Sequence, residues 1–251
     1  MQCILRPMTV SSASLHADPL EAKKALGWWH TARFMITAAQ LNQVPPIDLP
    51  EVAFVGRSNA GKSTCINTLT QQRQLAFASK TPGRTQHINL FALGPKEAPQ
   101  AVLADLPGYG YAAVPQQDKL RWQRVMANYL LSRPNLSAIV LLCDSRLGLT
   151  ELDEALLEMI RPRVEAGLRF LVLLTKADKL NRTEQTKALQ ITRLNAGGGQ
   201  VHLFSALKKQ GVSDVAVLLR DWLLEDAQQM VAASENTEAA VPQEQGSAPE
   251  A

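Results

Sequence analysis

Gly56-Arg57-Ser58-Asn59-Ala60-Gly61-Lys62-Ser63 matches the pattern G-x4-G-K-[ST] without a gap. Its glycines let the backbone turn tightly and aim successive N–H groups at phosphate oxygens, and a helix starting beneath the loop adds its positive dipole end. Lys62 is expected to reach the β- and γ-phosphates, and the Ser63 hydroxyl to ligate Mg²⁺. The phosphate-binding set read from this stretch is Gly56, Arg57, Ser58, Asn59, Ala60, Gly61, Lys62, Ser63 and Thr64. A Gly turn with a surface lysine would look the same in isolation, so the flanking pattern matters.

That pattern is strand before and helix after. Val52–Val55 is an apolar run, and Lys62–Thr70 fits a helix. Further strand candidates are His87–Ala92, Ala101–Ala104, Ala138–Cys143, Phe170–Leu174 and Val201–Phe204. Helices fit Gln117–Leu131, Glu151–Arg163, Thr183–Leu194 and Val212–Gln229. Such alternation implies an α/β fold with a mainly parallel sheet covered on both faces. Residues 1–30 show no clear period and read as a leader ending in Trp28-Trp29-His30. Residues 31–42 fit a short helix, with Phe34, Ala38 and Leu41 on one stripe, and it is expected to dock on the domain 31–229 with help from Trp28 and Trp29. From about Val231 the composition offers little to bury, so residues 230–251 are expected to be a disordered acidic tail.

Three more segments follow strands in the order a nucleotide site requires. Asp105-Leu106-Pro107-Gly108 fits D-x-x-G: Asp105 would hold Mg²⁺ through water, and the Gly108 N–H would touch a γ-phosphate. Thr175-Lys176-Ala177-Asp178 fits [NT]-K-x-D. A carboxylate at Asp178 can accept from guanine N1–H and the 2-amino group together, a donor pair adenine lacks, so ATP would leave it unpaired. Phe204-Ser205-Ala206-Leu207 fits the loop whose backbone N–H groups contact guanine O6.

With the runs Lys80-Thr81-Pro82-Gly83-Arg84-Thr85-Gln86 and Asp105-Leu106-Pro107-Gly108-Tyr109-Gly110-Tyr111 added, residues 30–225 resemble the EngB (YihA/YsxC) family of bacterial GTPases. That family falls among the TrmE-Era-EngA-EngB-septin-like P-loop GTPases. The resemblance implies a six-stranded G domain with one antiparallel strand, a role in assembling the large ribosomal subunit, and a link to septation and cell division. It also places Thr85 as the switch I threonine, which ligates Mg²⁺ in the GTP state, and counts Gly83, Arg84, Thr85, Gln86 and His87 among the nucleotide-binding residues.

For catalysis the candidates are Lys62, Thr85 and Asn59. The residue after D-x-x-G, a water-orienting Gln in Ras-type enzymes, is Tyr109 here, so slow intrinsic GTP hydrolysis is expected. Asn59 stands where potassium-stimulated GTPases carry a K⁺ ligand, and it fits a loop-capping role equally well. Arg57 and Arg84 lie beside the phosphates, and RNA or ground-state phosphate contact suits them better than catalysis. Tyr109 and Tyr111 could stack on a base, although packing on the switch helix is the plainer role for at least one of them.

Composition bounds the partners. Residues 231–251 hold four Glu and no Lys or Arg, so residues 1–230 carry +7. A moderately basic body, with Lys119, Arg121, Arg124, Lys208 and Lys209 near the site, suits a polyanion such as the rRNA of a ribosomal subunit precursor, although solvated surface charge gives the same count. No apolar run is long enough to span a bilayer, no secretion signal is read, and Cys3, Cys65 and Cys143 have no metal-ligand spacing. A cytoplasmic monomer with reduced thiols is expected. Two functional classes stay open: an enzyme whose turnover resets an assembly switch, and a GTP-dependent binding module for division machinery or RNA in which hydrolysis is incidental.

Overall fold

The computed structural model describes residues 17–76, 87–110 and 116–239, and of 116–122 and 234–239 the backbone alone. Its strands are β1 Arg33–Ala38, β2 Glu51–Gly56, β3 Ile88–Leu93, β4 Ala101–Asp105, β5 Leu136–Asp144, β6 Arg169–Thr175 and β7 Gln200–Leu203. They lie in the order β1-β3-β4-β2-β5-β6-β7. β3 runs antiparallel to both its neighbours, β1 and β4, and every other pairing is parallel. The helices are α1 Pro19–His30, α2 Lys62–Leu69, α3 Gln116–Ser132, α4 Glu151–Glu165, α5 Arg182–Asn195 and α6 Val212–Ala239.

The central strands are apolar on both faces because helices cover both. Along β2, Val52 and Phe54 pack with Trp29 of α1, Ile66 and Leu69 of α2, and Leu219 and Leu223 of α6. Ala53 and Val55 point the other way, toward Tyr129 and Leu130 of α3 and Leu156 and Ile160 of α4. Alternate residues therefore serve different cores, the period-2 consequence of a pleated strand. One charge is buried at the start of β2: Glu51 accepts from Tyr129 Oη at 2.6 Å and from Arg133 Nε at 3.2 Å. Burial pushes its carboxyl up from the ordinary range, against the pull of those two donors.

Three expectations change. Residues 31–42 are not a helix: Arg33–Ala38 is an edge strand, followed by a short 3₁₀ turn at Leu41–Gln43, so among the described residues the sheet has seven strands where six were expected. The helical stripe of Phe34, Ala38 and Leu41 is overridden by pairing with β3, where Phe34 sits opposite Phe91 with ring centroids 6.1 Å apart. Residues 19–30 are a helix. Asp18 caps it by accepting from Leu20 N and Glu21 N, and Pro19 opens it. Its buried face is Ala22, Ala25 and Trp29, and Trp29 donates from Nε1 to the Ala216 carbonyl of α6 at 3.0 Å. The tryptophan cluster thus docks this helix, not a helix over 31–42. Finally, α6 continues past Gln229 to Ala239, since Met230–Ala239 holds good helix formers and neither Gly nor Pro.

Candidate functional site

The C-terminal ends of β2, β4, β5 and β6 meet at one edge of the sheet, the place where open α/β sheets bind ligands. β2 ends at Gly56 and the chain turns through 57–61 into α2. Gly61 caps that helix at φ +94°, a conformation that disfavours any side chain. Asn59 is also left-handed, at φ +67°, which asparagine adopts more readily than most residues, so its loop-shaping role has direct geometric support.

Lys62 begins α2 and is buried, forming an ion pair with Asp105 at the end of β4. The other carboxylate oxygen, Asp105 Oδ2, is buried without a hydrogen-bond partner. The cation of one motif and the carboxylate of the other therefore form one buried pair. Ser63 and Thr64 occupy the first turn of α2 beside them. Past Asp105 the chain stays against the loop: Leu106 N donates to Phe54 O, Tyr109 N to Gly56 O, and Ser58 N to Tyr109 O. Leu106 and Pro107 are buried. At Gly108 a Cβ would lie 3.2 Å from Ser58 Oγ, so the two main chains run in close contact there.

The other end of the site is built on β6. Thr175 Oγ1 lies 2.6 Å from Ala60 O, joining the guanine-type motif to the phosphate loop. Lys176 is left-handed at φ +55°, and its ammonium donates to Asn59 O at 2.8 Å and Asp144 Oδ2 at 3.0 Å. Ala177 N donates to Phe204 O, which brings in the loop after β7. There the Ser205 hydroxyl donates to Asp178 Oδ1 at 2.6 Å and accepts from Lys208 N at 3.1 Å. The Ser205 hydrogen bond holds the Asp178 carboxyl below the ordinary aspartate range, so it is ionised at neutral pH. Phe204 and Ser205 are buried and Ala206 half-buried beside it.

The structure thus brings Gly56–Ser63 together with Asp105–Gly108, and Thr175–Asp178 together with Phe204–Ala206. Gly83, Arg84, Thr85 and Gln86 lie outside the described residues, as does Tyr111; His87 stands exposed just ahead of β3. Of the basic candidates, Arg124, Lys208 and Lys209 are exposed, whereas Arg57 is half-buried with its Nε buried and unpartnered. The side chains of Lys119 and Arg121 are not described. Two residues escaped the sequence reading. Asp144 ends β5 and holds both Lys176 and Arg146, which keep its carboxyl far below the usual range, the Arg146 bond first. A carboxylate closing an apolar strand was the signal for it. The other is Asp153, to which Tyr109 turns: the tyrosine is buried and donates to Asp153 Oδ1 at 2.5 Å. Tyr109 therefore packs inward against α4.

A glycine-rich loop on the central strand, a carboxylate on its neighbour and a second carboxylate, Asp178, at the far end belong to a P-loop GTPase fold. The family model described as "50S ribosome-binding GTPase" matches residues 51–176. The EngB protein of Acidovorax ebreus is 77% identical over 197 residues, covering 78% of this chain and 90% of its own length. That of Albidiferax ferrireducens is 73% identical over 198 residues, covering 79% and 96%. A crystal structure of an EngB GTP-binding protein superposes with a TM-score of 0.55 at 18% identity, over 70% of this chain and 99% of that one, a likeness of fold. The chain belongs to the EngB family of GTP-binding proteins, and guanine nucleotide is its ligand. Among the described residues no helix is long and apolar enough to cross a membrane.

Proposed function

We propose that this protein is a slow GTPase switch that acts on a precursor of the large ribosomal subunit, with the septation link of its family following from that role. The observation that carries the kinetic part is the burial of Tyr109. The side chain standing where Ras-type enzymes orient the attacking water is committed to Asp153 and cannot contribute to that step. The subunit is suggested by the description of the matching family model and by the +7 charge of residues 1–230.

In this reading Lys62 binds the β- and γ-phosphates, Asp178 and Ser205 read guanine, and Lys176 lies along the base. Mg²⁺ fits the donor set: the unpartnered Asp105 Oδ2 is an acceptor suited to a metal-bound water, and Ser63 and Thr85 supply hydroxyls. Bound there, the metal would neutralise charge between the phosphates. Lys62 and Thr85 are the remaining catalytic candidates. Asn59 joins them as a K⁺ ligand, since a cation beside the phosphates would take the part of an arginine finger. Asp105 would hold the metal through water and Thr85 would join it only in the GTP state, so switch I would close with the γ-phosphate.

The test is GTP hydrolysis by the isolated protein in K⁺ and in Na⁺ at equal ionic strength, because screening alone alters phosphate affinity. A slow rate, raised by K⁺ or by ribosomal particles, is expected, and Asn59→Ala should abolish the K⁺ effect while leaving guanine selectivity intact. Equal rates in both salts would return Asn59 to loop shaping alone. Fast turnover with neither activator would contradict the slow switch.

A further inference from the structure

We propose that Tyr109 and Asp153 form a clasp that holds the Asp105–Gly108 segment ready for a γ-phosphate, making Tyr109 a positioning residue for the GTP state. The inference rests on the GTPase reading and extends it to a residue pair that no nucleotide motif contains.

Both partners are buried, Tyr109 at 8% and Asp153 at 1% exposure. The acceptor is itself fixed. Asp153 Oδ2 accepts from Thr150 N at 2.8 Å and Thr150 Oγ1 at 2.7 Å, a capping box that ties the carboxylate to the first turn of α4. Oδ1 accepts from the phenol, and the Cys143 thiol also faces this carboxylate. Burial, and then the neighbouring Asp153 charge, push the phenol far above its ordinary range, so it remains a donor at every pH at which the protein would be studied. A donor facing a buried carboxylate makes a charge-assisted bond, stronger than a neutral one.

The main chain of Tyr109 is tied as firmly as its side chain. Its N–H donates to Gly56 O at 3.3 Å and its carbonyl accepts from Ser58 N at 2.8 Å, so one residue is joined to the phosphate loop and to α4 at once. Gly110 follows, left-handed at φ +73°, where a Cβ would lie 3.1 Å from Arg57 Nε and 3.2 Å from Leu152 Cδ1. Gly108 lies between these ties and Asp105. Its amide therefore sits in a short segment held at both ends.

The consequence is selective. GDP has no γ-phosphate and does not use the Gly108 amide, so loosening the clasp should leave GDP binding alone. GTP would have to order the segment itself, and its affinity should fall. A purely structural bond would weaken both nucleotides, or neither.

The experiment compares Tyr109→Phe with the wild-type protein, titrating GDP and a non-hydrolysable GTP analogue in Mg²⁺ and recording thermal melts. The analogue should bind about tenfold more weakly while GDP stays within about twofold, the scale of one lost hydrogen bond to a charged group. In an Asp153→Ala background the Tyr109→Phe change should add nothing to the analogue-to-GDP ratio. Should Asp153→Ala fail to fold, the ratio for Tyr109→Phe alone decides. Equal effects on the two nucleotides, no effect on either, or additive effects in the double variant would overturn the clasp. A wild-type protein that bound neither nucleotide would instead overturn the GTPase reading itself, and the clasp with it.

Discussion

Asp178→Asn is expected to weaken GTP and GDP by about a hundredfold or more and to raise affinity for xanthine nucleotides, since a paired donor-to-carboxylate contact is lost and a buried polar edge left unmatched. Xanthine carries a carbonyl where guanine has its amino group, and an amide can donate to it. The fold should tolerate the change. The Ser205 hydroxyl, now 2.6 Å from Asp178 Oδ1, can donate to an amide oxygen as readily. The pH dependence has a definite sign. Because the folded carboxyl is held below the ordinary 3.8, guanine binding by the wild type should be flat through neutrality. It should be lost only as the pH falls through that lowered value. Titration with GDP, xanthosine diphosphate and ADP checks all of this. Unchanged GDP affinity in the variant, or equal GDP and ADP affinity in the wild type, would remove Asp178 from the base-reading role.

Lys62→Met should have the second large effect, on both stability and binding. Lys62 and Asp105 form a buried pair, and Asp105 Oδ2 has no partner. Removing the ammonium strands a buried carboxylate, which costs about 3–5 kcal/mol in comparable pairs. Methionine keeps most of the apolar stem, so lost packing contributes little. Nucleotide affinity should fall by about a hundredfold or more, since the phosphates lose the buried cation that opens α2. The two effects separate in the double variant Lys62→Met/Asp105→Asn. Stability should recover there, because no charge is stranded, while nucleotide binding should not. Denaturant unfolding and GDP titration measure the two independently. A double variant that recovered both would mean that Lys62 serves the fold alone.

What the sequence disclosed follows from how local each feature is. The phosphate loop and the guanine motif are contiguous, and each lies at the end of an apolar run that a doubly covered parallel strand requires, so both were legible. Arg33–Ala38 was not, because an edge strand is decided by its partner β3, 50 to 59 residues on by register, and not by its own period. Pro19–His30 was obscured because its buried face is mostly alanine, although Asp18 and Pro19 carried the capping signal. The reach of α6 to Ala239 was missed because a composition with little to bury can still prolong a helix already anchored by Leu219 and Leu223. Within the site, Asp144 and Asp153 were invisible for one reason. Their partners, Lys176 and Tyr109, are 32 and 44 residues away, and only the sheet brings them together.

Sedimenting large-subunit precursors from cell extract, with the full-length protein and either GDP or a non-hydrolysable GTP analogue, reads the proposed switch most directly. The protein should travel with the particles in the analogue and stay near the top of the gradient in GDP. The same distribution with both nucleotides, or none of the protein with the particles in either, would contradict a GTP-dependent role on the large subunit.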